Sequence, residues 1–167
     1  MNTVVVFTAK SAETIFRQGG CGYWSLNAER ARKCRFVLVT ANAHHRQSEH
    51  ATHDHGRGFL IGKISGLRSV DQIDFGQSAR ARWLIEFSEY AVIDLPNAWG
   101  GFQNPVRYMN LDEFEIDPKS LDWKGFPQAQ IEQADDSVTA LTIEEAKRGL
   151  GKQLGVSPES IEIIVRA

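Results

Sequence analysis

Cysteine is scarce in this chain. Its two residues, Cys21 and Cys34, are well separated and outside any CxxC spacing, which excludes a disulfide framework and a zinc knuckle. Long apolar runs are also missing. The longest β-branched stretch, Val4-Val5-Val6-Phe7, is far too short to cross a bilayer, and no basic segment precedes it, so neither a signal peptide nor a membrane partner is expected. No GxGxxG, Walker loop, GxSxG or HExxH occurs, so the nucleotide, hydrolase and zincin signatures are absent. No disorder-type bias appears either. At 167 residues, 42% hydrophobic and 24% charged, the composition is that of an ordinary globular chain with room for one domain and an appendage, and a reducing cytoplasm suits its cysteines.

What is present is unevenly charged. Residues 1–83 hold 12 Lys and Arg against 6 Asp and Glu, whereas residues 84–167 hold 7 against 15, so an anionic partner is expected on the first half. The densest cations are Arg30, Arg32, Lys33 and Arg35, on and just beyond a short helix over Ala28–Lys33 that Asn27 caps. They read either as a phosphate-facing patch or as a solvated helix face.

The strongest strand pattern runs from Trp83 to Leu95. Trp83, Ile85 and Phe87 share one face and Leu84, Glu86 and Ser88 the outer one, with a bend allowed near Ser88-Glu89-Tyr90 and a stop at Pro96. A loop follows that carries Trp99, Phe102, Gln103, Asn104, Arg107 and Tyr108. Flat rings, amides and a guanidinium together suit a planar, hydrogen-bonding ligand such as a nucleobase. The alternative is that Trp99 and Phe102 cap a small barrel.

Other elements follow from local pattern. Thr3–Thr8 reads as a buried strand, Ser11–Arg17 as a short helix, Gly19–Gly22 as a glycine turn leading into Tyr23–Leu26, and Phe36–Thr40 as a central strand that delivers Asn42. Phe59–Ile64 is a second central strand, with Gly62 allowing close backbone approach, and Ser65–Gln77 a connector. Leu111–Ile116 is a short acidic helix and Leu121–Phe126 a last apolar edge. Residues 43–58 hold all five histidines. His50, His53 and His55 with Asp54 can be drawn as a metal site, but the spacing fits no known ligand motif, so a dispensable solvated loop without metal is expected.

Residues 128–136 read as a linker. Beyond it a Thr142–Glu145 capping box opens a helix with Leu141, Ala146, Leu150 and Leu154 as its apolar stripe. Gly155 ends that helix, Ser157-Pro158-Glu159 makes a turn, and Ile161–Val165 closes like a strand. Such an appendage cannot bury a core alone, so it docks on the barrel or pairs two copies as a homodimer.

Short helices among several non-local strands imply an α+β chain: a small, partly closed β-barrel over residues 1–127 with peripheral helices, plus a C-terminal helix-strand appendage over 128–167. Five stretches then resemble the PUA-like superfamily, nearest to its EVE and ASCH branches. They are Phe7-Thr-Ala-Lys-Ser11, Gly22-Tyr-Trp-Ser-Leu26 with Arg30-Ala31-Arg32, His55-Gly56 before Phe59–Ile64, Ile85–Ala91, and Asn104-Pro-Val-Arg-Tyr108. Phe102-Gln103 stands where that group more often has Trp-Arg. The resemblance implies a cofactor-free module whose cleft reads RNA or a modified nucleobase in DNA. In it Trp24 and Trp99 would stack, Asn42, Ser88 and Asn104 would read base edges, Arg107 would meet a phosphate or base, and Lys10, Ser25 and Tyr90 would complete the wall. The rival expectations are a nuclease or other hydrolase using Lys10, Glu86, Glu89 or the histidine loop, with no paired nucleophile and base visible, and a protein-interaction module working through the C-terminal helix.

Overall fold

The computed structural model describes residues 2–70, 81–127, 143–144, 146–148 and 155–162. The chain divides into two compact units, Met1–Ile131 and Glu132–Ala167. Among the described residues the first holds seven strands: β1 (Thr3–Thr8), β2 (Cys21–Trp24), β3 (Phe36–Ala41), β4 (Gly58–Val70), β5 (Arg82–Leu95), β6 (Val106–Met109) and β7 (Lys124–Gly125). Two short helices intervene, α1 (Ala12–Arg17) and α2 (Ala28–Ala31). The strand order is β2-β5-β4-β3-β1-β6, with β7 on β5. Only β1 and β3 pair in parallel, and the mixed sheet curls into a half-barrel.

Period-two alternation sorts the central strands onto two cores. Val4, Val6, Val37, Val39 and Leu60 enter one, with Ile85 and Phe87. Their neighbours Val5, Leu38 and Ile61 enter the other, with Ala91, Trp99 and Leu111. Strands buried on both faces read as continuous apolar runs, as β1 and β3 do.

Phe87 and Ala91 sit in different cores although an unbroken strand would place them together. The cause is a β-bulge: Lys63 pairs with Glu89 and Ile64 with Phe87, so Ser88 is the extra residue. The bend allowed near Ser88 is therefore present and reverses the phase. Leu84, expected to face outward, is fully buried. The edge strand β2 covers it, and a Cβ on Gly22 would fall 2.7 Å from Leu84 Cδ1, so the contact needs a glycine there. Cys21–Trp24 is thus a strand rather than the exit of a turn, held by Cys21↔Ile85 and Trp24↔Trp83. Ser65–Val70 likewise corrects the connector. Those residues extend β4, Gly66–Val70 pairing with Arg82–Glu86, where Arg68 Nε meets Glu86 Oε1 at 2.9 Å, while the rest of the expected connector, 71–77, lies outside the described residues. The close approach at Gly62 is real: a Cβ there would come within 2.7 Å of the Phe87 ring.

Helix starts follow their caps. Ser11 accepts from the Thr14 amide and Asn27 Oδ1 from the Arg30 amide at 2.9 Å, though α2 stops at Ala31, shorter than expected. The acidic segment tightens into a 3-10 turn over Leu111–Phe114 instead of an α-helix, and Glu115 leaves it at φ 55°. Phe126 closes the barrel side of β5, 4.5 Å from the Phe87 ring. In the second unit residues 143–144 and 146–148 are helical, and a 3-10 turn spans Pro158–Ser160. The expected linker, the capping box, Leu141, Leu150 and Leu154, and most of the strand-like close lie outside the described residues. No helix among the described residues is long and apolar enough to cross a membrane.

Candidate functional site

Three recesses adjoin along one rim of the first unit. The largest, about 720 Å³, lies between the end of β1, strand β2 and the histidine loop; Phe7, Lys10, Tyr23, Trp24, Asn42 and Pro105 are among the residues that line it. A second, about 410 Å³, shares Tyr23, Trp24 and Pro105 and adds Ser25, Arg82 and Asn104. The third, about 520 Å³, shares Asn104 and Val106 and adds Arg30, Phe102, Gln103, Arg107 and Tyr108. Shared wall residues make the three recesses neighbours.

Lys10 lines the largest of them. Its ammonium donates to Gln18 Oε1 at 2.7 Å and to the Gly22 carbonyl at 2.6 Å, and lies 4.6 Å from the centre of the Tyr23 ring. Partial burial lowers its pKa, while the Cys21 and Glu49 charges oppose that shift. These two acceptors make Lys10 a clasp that ties β1 to α1 and β2 as well as a wall of the cleft. Trp24 is half-buried, and its indole N–H has no oxygen or nitrogen partner. The group that it influences is the Cys21 thiol. Burial pushes that thiol up to about 11, with the Trp24 N–H and Lys10 acting the other way. Asn42 is fixed through its backbone, its N–H donating to the Thr8 carbonyl at 2.7 Å, which leaves its side-chain amide at the cleft wall. Asn104 turns its Oδ1 to the Val106 amide at 3.2 Å, so its NH2 is the group left for a ligand.

Lys10, Trp24 and Asn42 are thereby brought to the largest of the three recesses, Ser25 and Asn104 to the second, and Arg30 and Arg107, with Asn104, to the third. Others are not. Ser88 and Tyr90 lie outside these walls: the Ser88 carbonyl accepts from Phe126, and the Tyr90 ring packs 4.6 Å from Phe16. The bulge that shifts the strand phase places them there. Trp99, expected as a stacking face, is only 4% exposed. Phe7 stacks on it at 4.8 Å and 2°, and its indole N–H donates to the Phe102 carbonyl at 3.2 Å, so Trp99 caps the second core. The cationic run also disperses: Arg32 lies over Trp83 at 5.3 Å and Arg35 over Phe36 at 5.9 Å, and with Lys33 they stay outside the described walls of these recesses.

The histidine loop is more than a solvated surface. His50 Nε2 bonds to the Thr8 carbonyl at 2.8 Å, and its ring meets Phe59 at 5.0 Å and His53 at 5.7 Å. Desolvation lowers its pKa, the hydrogen bond to Thr8 opposing. Glu49 accepts from the Ser11 amide at 2.8 Å and hydroxyl at 3.0 Å, which holds its carboxyl below the usual range. These contacts hang the loop on the segment that carries Lys10, with His45, Gln47 and Glu49 as one wall of the cleft. Among the described residues no three His, Cys, Asp or Glu side chains converge as metal ligands. Of the groups expected to serve a hydrolase, Glu86 pairs with Arg68 at 2.9 Å and Glu89 with Lys63 at 2.7 Å, and neither reaches Lys10.

Sequence reasoning missed Phe7, Tyr23, Pro105 and Gln47 as wall residues. For Tyr23 the signal was its place beside Trp24; for Gln47, in an aperiodic loop, none existed. Compared with known proteins, the chain matches no family model, no curated protein and no solved structure.

Proposed function

We propose that this chain is a PUA-like module that binds nucleic acid and reads one base, in RNA or as a modified base in DNA, in the Lys10–Trp24–Asn42 cleft. The observation that carries this reading is the cleft's make-up. Three aromatic residues, Phe7, Tyr23 and Trp24, together with Asn42 and Lys10, line a volume of about 720 Å³, within the usual range for small-ligand sites. Planar rings suit a base face, and amides suit its hydrogen-bonding edge. The reading assigns no chemistry to the chain.

The test is direct. Nucleic acid that co-purifies with the protein is digested and its nucleosides identified by mass spectrometry, and oligonucleotides bearing the enriched base are titrated. Trp24→Ala is expected to weaken binding by roughly 1 to 3 kcal/mol, the usual worth of one aromatic platform. Equal binding by parent and Trp24→Ala, with both folded, would remove the cleft from recognition.

A further inference from the structure

The ammonium of Lys10 is set in place by the elements around the cleft. It donates to Gln18 Oε1 at 2.7 Å and to the Gly22 carbonyl at 2.6 Å, with the centre of the Tyr23 ring 4.6 Å away. Gly22 and Tyr23 line the same cleft as Lys10, so the charge lies among residues of its wall. Each anchor is itself fixed. Gln18 is the C-cap of α1, its N–H donating to the Thr14 carbonyl at 3.0 Å, while Gly22 belongs to β2, which pairs with β5. The Lys10 backbone is tied as well, its N–H donating to Thr8 Oγ1 at 3.1 Å. Two carbonyl dipoles and a ring face favour the charged form, as do the Cys21 and Glu49 charges, and only desolvation opposes it. An ammonium has three N–H donors and no lone pair, so whatever group meets it in the cleft must be an acceptor. Against an amino group a partly buried ammonium would trade water for another donor, with no hydrogen bond in return.

We infer that Lys10 makes the cleft selective for a base that presents a carbonyl oxygen where its counterpart presents an amino group: guanine over adenine, and uracil or thymine over cytosine. The inference rests on the base-reading proposal and names the class of base. The members of each pair differ at one ring position, where O6 of guanine faces N6 of adenine and O4 of thymine faces N4 of cytosine. A lysine ammonium donates to the first kind of group and has nothing to offer the second. Gln18 is then a positioning residue, which acts on the ligand through the ammonium.

The probes are fluorescein-labelled single strands that carry one base, guanine, adenine, uracil or cytosine, with abasic sites at every other position, and binding is followed by anisotropy. Guanine should bind about tenfold or more tightly than adenine, and uracil than cytosine, as for one charge-assisted hydrogen bond kept against one lost. In Lys10→Met the members of each pair should converge. Lys10 is also a clasp, so the parent supplies an arm of its own: the 15N signal of its Lys10 ammonium should shift saturably with the guanine probe and stay in place with the adenine probe. In Gln18→Leu, which removes one acceptor and leaves Lys10 in the wall, the preference should shrink severalfold while the melting temperature stays near that of the parent. Equal or reversed binding within the pairs, weakened alike by Trp24→Ala, overturns the inference and keeps the base-reading proposal. A preference that a folded Lys10→Met retains, or a Lys10 signal unmoved by saturating guanine probe, overturns it as well. Binding by none of the probes overturns the inference, and the base reading falls with it where strands bearing the co-purified base also fail to bind.

Discussion

Trp99 shows how one side chain can be assigned by its neighbours. Its ring is stacked against Phe7, from the far end of the unit's sequence, and its N–H is satisfied by the Phe102 carbonyl. Removing it leaves a ring-sized void in the second core. Trp99→Ala should therefore cost about 3 to 5 kcal/mol of stability, read as a lower denaturant midpoint, while the fraction that remains folded binds an oligonucleotide as the parent does. An unchanged midpoint with lost binding would restore Trp99 to the ligand site. The sequence could not choose between cap and platform, because a lone loop tryptophan serves either and its partner Phe7 lies too far along the chain for any local pattern to show.

The elements differ in how much of them was legible. β1 and β3 were, since β-branched runs buried on both sides leave a plain signature. β2 was not: Cys21-Gly-Tyr-Trp24 has no alternation, and its strand geometry comes from pairing with β5. The cleft was legible to the same extent. Lys10 and Asn42 flank β1 and β3, which could be placed, and Trp24 and Asn104 stood out by residue type alone, whereas Ser88 and Tyr90 sit on the strand whose phase a bulge of one residue reverses. The histidine loop was read as free because nothing periodic marks it, yet His50 and Glu49 anchor it. Its anchoring gives a pH dependence. Burial lowers His50 in the folded chain, and His55 is lowered by desolvation and by the His44 ring stacked on it at 3.9 Å. Below their ordinary value of 6.5 the unfolded chain binds more protons, so the contribution is full above that pH and is lost as pH falls through the lower folded values. Glu49, lowered from 4.5, adds a second loss below that pH. Melting temperature should be level above about pH 6.5 and decline below it, with a shallower decline in His50→Gln, and the protection of the Glu49 amide against exchange, corrected for the intrinsic rate, should fall over the same range. A profile level down to pH 5 would show that His50 does not hold the loop.

On the scale of the whole molecule, the charge asymmetry between the halves is partly undone by the fold. β4 comes from the basic half and β5 from the acidic one, and their pairing brings Lys63 to Glu89 and Arg68 to Glu86. The cations that line the recesses are Lys10, Arg30, Arg82 and Arg107. The division of the chain is equally plain: among the described residues, both apolar cores are built from residues before Ile131. A fragment of residues 1–131 should therefore fold cooperatively, with a melting temperature within a few degrees of the full chain and with its affinity for an oligonucleotide kept, because the described residues that line the cleft all belong to it. Residues 132–167 alone are too few to bury a core, and as an isolated peptide they should show little fixed structure by circular dichroism. The two arms answer different questions. A fragment that melts far below the full chain would mean that the second unit stabilises the first, and the loss of self-association without loss of stability would assign to the second unit the pairing of two copies.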